Sequence, residues 1–142
     1  MNHLHRPATE ASALVERMFA AEFAFMKSGG QDRSVLATAF HPEGVIHEPT
    51  SLPYAGDWRG LDGAADLIRL MGNTWSDMAV DALEIAGSAD STLLGCRLRL
   101  TARRTGTVIE QPFAEWLRFE DGKLIEGTPF YFDTAALVAA LG

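Results

Sequence analysis

Apolar residues recur every third or fourth position early in the chain and every second position over its latter half. Val15, Met18, Phe19, Glu22 and Met26 share one helical stripe, which Phe23 and Phe25 widen. The stripe predicts a deeply packed helix with Thr9 as N-cap and Glu10 in its first turn, closed by Ser28-Gly29-Gly30. Glu22 is expected at the edge of the stripe, reaching water, with projection into a pocket as the alternative. A shorter helix is predicted over 31–40, carrying Val35, Leu36, Ala39 and Phe40, before His41-Pro42-Glu43-Gly44 breaks the pattern. Val45-Ile46-His47-Glu48-Pro49 then reads as a short apolar strand stopped by proline. Its loop, 50–60, bears Tyr54 and Trp58 and leads into a third helix over 61–71, with Ala64, Leu67, Ile68 and Met71 inward.

From Trp75 the period changes to two. Residues 78–85 alternate, 86–90 turn, and 93–104 place Leu94, Cys96, Leu98, Leu100 and Ala102 on one face against Arg97, Arg99, Thr101 and Arg103 on the other. Thr105-Gly106 turns the chain into a long strand over 107–119. Glu120-Asp121-Gly122 predicts a tight hairpin into a last strand over 123–132, and Asp133 caps a terminal helix ending at Leu141. Three helices near the start, strands joined by hairpins and a short final helix imply an α+β fold in a single domain, 1–142, with 1–8 as a flexible tail.

Composition narrows the partners. The chain has 142 residues, enough for a substantial core, and a net charge of −7. That balance excludes a nucleic-acid partner, which needs a basic face, and adhesion to an anionic membrane surface. No stretch approaches transmembrane length and the start lacks an apolar signal core, so a cytoplasmic protein is expected. The single cysteine, Cys96, lies in an apolar run and reads as a small core residue. His41, His47 and Glu48 lack compact ligand spacing, and His3 and His5 fall in the tail, so no metal is expected.

Two motifs carry a resemblance. Phe40-His41-Pro42-Glu43-Gly44-Val45-Ile46-His47-Glu48-Pro49 is followed by Gly60-Leu61-Asp62-Gly63. Later, Glu115-Trp116-Leu117-Arg118-Phe119-Glu120-Asp121-Gly122-Lys123-Leu124-Ile125-Glu126 is followed by Tyr131-Phe132-Asp133. In this order they resemble the nuclear transport factor 2 (NTF2)-like superfamily, and within it the SnoaL-like polyketide cyclases and ketosteroid isomerase-like proteins. The resemblance implies a cone-shaped fold with three N-terminal helices packed on a curved, mostly antiparallel sheet. It also implies that Glu48, directly before the strand-ending proline, stands where ketosteroid isomerases keep their base. Glu115, four before Phe119, stands where they keep an acid that donates a hydrogen bond to the developing oxyanion. The first-helix tyrosine of those isomerases is replaced here by Met18 or Phe19, and the late-strand histidine described for polyketide cyclases is missing.

These positions define a candidate site. Glu48 is expected closer to ionised, as the proton acceptor, and Glu115 neutral in an apolar cavity. Ketosteroid isomerase itself divides the labour between two acids in this way, so the assignment follows from the resemblance. Otherwise Glu48 is a solvated strand end, and Glu115 pairs with an arginine or with Gln111. His47 either orients Glu48 or acts as base, although strict alternation turns it away. Tyr54, Trp58, Trp75, Met78, Gln111, Phe113 and Tyr131 are the expected ligand-binding wall, with Gly127 and Pro129 leaving room beside Tyr131. Tyr54 and Trp58 suit a lid or a dimer contact. Arg97, Arg99, Trp116 and Arg118 mark the opposite face as a homodimer interface. The expected function is cofactor-free acid/base chemistry (isomerisation, cyclisation or dehydration) on a small hydrophobic carbonyl compound. The alternative is a dimeric small-molecule binder without turnover.

Overall fold

The computed structural model describes residues 9–142; the expected tail, 1–8, lies outside the described residues. Helix α1 spans Glu10–Lys27, and the Thr9 hydroxyl accepts a hydrogen bond from the Ser12 amide at 3.0 Å. After it come α2 (Arg33–Leu36), β1 (Phe40–Glu48), β2 (Gly56–Arg59) and α3 (Gly60–Thr74). Strands β3 (Trp75–Ser88), β4 (Ser91–Ala102), β5 (Val108–Glu120) and β6 (Lys123–Tyr131) then lead to α4 (Thr134–Ala140). The strands form one six-stranded sheet in the order β2-β1-β6-β5-β4-β3. Among the described strands only β1 against β6 is parallel; β2–β1, β3–β4, β4–β5 and β5–β6 are antiparallel. Register shifts in β1 between Phe40 and Val45 and in β3 between Asp81 and Glu84 mark bulges, which bend strands and curl a sheet. In β3 the bulge holds Ala82 at φ 52°.

Three expectations are corrected. The helix over 31–40 is only one turn long, because the chain from Ala39 onward is captured by β6. The Leu124 amide donates to the Ala39 carbonyl at 2.8 Å, and Phe40 pairs with Leu124. His41-Pro42-Glu43-Gly44 is accordingly a bulge inside β1, and a Cβ on Gly44 would stand 2.9 Å from the Leu124 carbonyl oxygen, which fixes glycine there. The loop after Pro49 contains a strand, β2, with His47 opposite Asp57 and Ile46 opposite Trp58.

The inner sheet face packs under α1 and α3. Leu94, Leu98, Leu100 and Ala102 of β4 are buried with Leu117 and Phe119 of β5, against Val15, Met18 and Phe25 of α1 and Leu67 and Ile68 of α3. Burying a side chain of this kind contributes roughly 1.5–3 kcal/mol. The outer face is open. Arg97 pairs with Glu110 at 3.4 Å, and the Trp116 indole donates to the Ser91 hydroxyl at 3.0 Å. Beside them stand Leu93, Phe130 and Phe132, exposed at 54, 53 and 75%. Sequence reading found the charges of this face and Trp116 but not these hydrophobics.

His47 also belongs to the outer face. One ring nitrogen lies 2.7 Å from Asp57 and the other 2.9 Å from Glu126, which in turn meets Arg118 at 3.2 Å. Hydrogen bonding to Asp57, against some burial, raises the His47 pKa above its ordinary 6.5. The same contact holds Asp57 below its usual range, and Glu126 is lowered likewise. The histidine contribution is therefore complete below pH 6.5 and disappears as pH rises through the elevated folded pKa; the carboxylate contribution is lost on acidification. His47→Gln should cost under about 1 kcal/mol at pH 6, measured by urea unfolding, and close to nothing at pH 9, because these groups are partly solvated. An equal loss at both pH values would rule out a charged histidine.

Candidate active site

Three carboxyls meet in one cavity. Glu22 arrives from α1, one turn from Met26 on the apolar stripe; Glu48 is the last residue of β1; Glu115 sits midway along β5. The cavity has a volume of about 70 Å³. Its wall is completed by Phe19 and Phe23 of α1, Ile46 of β1, Leu67 and Met71 of α3, Met78 and Val80 of β3, Phe113 of β5, and Pro129 and Tyr131 of β6. No lysine, arginine or histidine stands in this wall among the described residues.

Strand alternation explains who is present. Ile46 and Glu48 point inward, so His47 points to the outer face, and the pleat holds right up to Pro49. The expectation of His47 as a cavity residue is thus corrected. On β5, Phe113 and Glu115 share the inner face. Gly127 leaves space for the second of these: a Cβ there would stand 3.3 Å from Glu115 Oε2. Glu48, Glu115, Met78, Phe113 and Tyr131 are brought together as the sequence implied.

Other expected wall residues lie elsewhere. Gln111 is buried behind the cavity, where its amide donates to the Asp133 carbonyl at 3.2 Å and accepts from the Asp133 amide at 3.1 Å, tying β5 to the start of α4. It does not pair with Glu115. Tyr54 is fully buried rather than a lid: its hydroxyl accepts from the Trp75 indole at 3.0 Å and lies 3.1 Å from the Tyr131 hydroxyl. Trp75 is likewise core, and Trp58 donates to the Tyr54 carbonyl at 2.9 Å, packed against β1 and α3. The Tyr54 hydroxyl, enclosed by protein, thus bridges the Trp75 indole and the Tyr131 hydroxyl at the cavity wall. Sequence reading missed Phe19, Phe23 and Met26 as cavity residues and held the projection of Glu22 into a pocket only as the alternative. The available signal was a carboxylate inside an apolar stripe, which the edge-of-helix reading discounted.

Electrostatics set the three carboxyls apart from ordinary glutamates. Glu48 is only 7% exposed, and its Oε1 has no hydrogen-bond partner among the described residues. Burial, then repulsion from Glu115 and Glu22, pushes its pKa up to about 9. Burial, then Glu115, pushes Glu22 up to about 8, and burial raises Glu115 to about 7. Glu48 does not stand apart as the ionised member: burial raises all three carboxyls, and at Glu48 both neighbouring acids also oppose its charge. Burial also lifts Tyr54 to about 12, so both Tyr54 and Tyr131 stay neutral. As a set, the cavity keeps most of its protons at neutral pH and titrates as a coupled group. Elsewhere, His41, Glu120 and Asp121 come together as metal-type donors, with both acids exposed and away from this cavity.

Among the described residues, no helix is long and apolar enough to cross a membrane. No curated protein matches the chain. Solved structures share its fold. An NTF2-like protein from Burkholderia xenovorans is 20% identical, with 96% of this chain and 98% of that one covered at a TM-score of 0.78. A putative SnoaL-like polyketide cyclase from a Jannaschia species is 18% identical, with 99% and 97% covered at 0.74. TerC, co-crystallised with polyporic acid, is 19% identical, with 90% and 97% covered at 0.72. At these identities the likeness is one of fold. The family profile of the SnoaL-like domain matches residues 15–127, from the first helix through the middle of β6, and the chain belongs to that family.

Proposed function

We propose that the cavity performs cofactor-free acid/base chemistry on a small hydrophobic carbonyl compound, of the isomerase, cyclase or dehydratase type. The observation that carries this reading is the meeting of Glu22, Glu48 and Glu115, from three separate elements, inside one largely apolar wall. Glu115, nearest neutrality, accepts the proton from carbon. Glu48 and Glu22 remain neutral acids and donate hydrogen bonds where negative charge develops on the carbonyl oxygen, with the Tyr131 hydroxyl beside them. Desolvated carboxyls poised around the working pH suit proton transfer, whereas a passive apolar pocket has no need of them. TerC, which shares this fold, was co-crystallised with polyporic acid. The competing reading is binding without turnover, in which the carboxyls only hold a ligand.

The same reading includes a homodimer through the outer sheet face. Leu93 lies opposite Trp116 across β4 and β5, Ala114 lies opposite Phe130 across β5 and β6, and Arg97, Arg99 and Arg118 flank them. An exposed apolar stripe rimmed by charges is the anatomy of a protein interface.

Carboxyl-resolved NMR titration should place Glu115 near 7, Glu22 near 8 and Glu48 near 9. Ordinary values for all three would sink the acid/base reading. Linkage gives a second check. Each carboxyl is protonated in the folded chain where the unfolded chain has ionised, so its contribution is greatest below pH 4.5 and is lost as pH rises toward 9. Glu48→Gln should therefore stabilise the protein at pH 8 by on the order of 1–3 kcal/mol in urea unfolding and do little at pH 4. On a hydrophobic enone that the protein turns over, Glu115→Gln should lower kcat by about 10²–10⁴-fold. For the dimer, Trp116→Glu should halve the mass found by light scattering while leaving the circular dichroism spectrum unchanged; a wild-type monomer would refute that interface.

A further inference from the structure

The cavity wall offers three carboxyls and, among the described residues, no lysine, arginine or histidine. Burial and mutual repulsion are the causes that raise Glu22 and Glu48, and no side-chain hydrogen bond contributes to the shift of any of the three. Glu48 shows the consequence most plainly: more than nine-tenths buried, it lines the cavity while its enclosed Oε1 meets no donor among the described residues. Leaving such a group unpaired costs about 1–3 kcal/mol, more when it is charged. A ligand that brings its own donors into the cavity would relieve that cost.

The wall narrows its chemistry. Phe19 and Phe23 lie with ring centroids 6.4 Å apart, and Phe113 meets Tyr131 edge-on at 5.0 Å. Aromatic faces attract cations, and so do carboxylates. An anion would face the same repulsion that already separates the acids. A neutral hydroxyl could meet one carboxyl but would not relieve the repulsion among three. A quaternary ammonium would relieve the repulsion but has no N–H to give. A primary or secondary ammonium does both, with up to three donors for three acceptors.

We propose that the cavity receives the protonated nitrogen of a hydrophobic amine, held among Glu22, Glu48 and Glu115 with its carbon skeleton against Phe19, Phe23 and Phe113. This rests on the reading of the cavity as the ligand site, and it names the substrate class as a compound carrying a basic nitrogen. Binding has a proton balance. The ammonium enters with its proton, a cavity carboxyl ionises to meet it, and the released proton passes to solvent. The titratable groups facing the site are Glu22 from α1, Glu48 from β1, Glu115 from β5 and Tyr131 from β6, with Tyr54 behind Tyr131 and Cys96 of β4 near Glu115. The phenols stay neutral, so affinity should rise between pH 6 and pH 8 as carboxyls ionise.

The test is calorimetric titration of the full chain with benzylamine, benzyl alcohol and sodium benzoate, matched in size and differing in charge. At pH 7.5 benzylamine should bind at least about tenfold more tightly than the alcohol, and benzoate least, from cation–aromatic and charge-assisted contacts. The heat should vary with buffer ionisation, reporting about one proton released. Glu22→Gln and Glu48→Gln should each erase most of the preference. If either variant misfolds, amide chemical shifts of the wild type should move at Met26, Met78 and Phe113 with benzylamine and not with benzoate. Equal affinity for amine and alcohol, or a preference that survives both substitutions, overturns the proposal. The acid/base reading fails separately. Raised carboxyl pKa values without amine preference sink only the amine proposal, whereas amine preference in a protein that turns over no carbonyl substrate supports the amine proposal and sinks only the catalytic one.

Discussion

One curled sheet with a covered face and an open face governs everything else in this protein. Successive residues of a strand cannot share a face, so each strand must sort its side chains between a dry interior and an outer surface. The sorting is visible pair by pair. Glu48 goes to the cavity and His47 to the outer ion cluster; Glu115 goes inward and Trp116 outward. A slip of one residue in β1 or β5 would exchange those roles and place an indole among the acids.

The interior that results is not uniformly apolar, and its polarity is unbalanced. The helices and inner sheet face supply packing, while the acids from α1, β1 and β5 bring negative potential without a basic partner in the wall among the described residues. Desolvation then acts on them collectively. A lone buried carboxyl would stay protonated and inert; three within reach of each other form a set whose members ionise in turn across the neutral range. Such a set can accept a proton, donate a hydrogen bond or answer an incoming positive charge, which links the catalytic proposal to the amine proposal through one physical cause.

Behind the cavity the structure is braced by hydrogen bonds. Trp75, Tyr54 and Tyr131 form a chain from the core to the cavity wall, and Gln111 fastens β5 to the backbone at Asp133, where α4 begins. These residues hold Tyr131 and Phe113 in place, so their influence on a ligand is exerted through the groups that touch it. The sequence marks them as chemically interesting because aromatics and amides are costly to bury without partners. Their partners are long-range: Tyr54 meets Tyr131 seventy-seven positions away.

Local pattern by itself determined the elements with clear period, namely the long first helix, the third helix and the hairpin strands with Leu94 to Ala102 inward. The pairing of Glu48 with Glu115 came from the family resemblance, and strand parity added only that Glu115 faces the apolar side of its strand. Tertiary structure decided the rest. Whether 31–40 was helix or strand turned on a parallel partner, β6, far later in the chain. Glu22 and the relative acidity of the carboxyls turned on how deeply each is desolvated and which other acids it faces, properties of what packs around it rather than of its neighbours in the chain. The same holds for Tyr54, which a loop position suggested was a surface lid and which the curling of the sheet placed in the core.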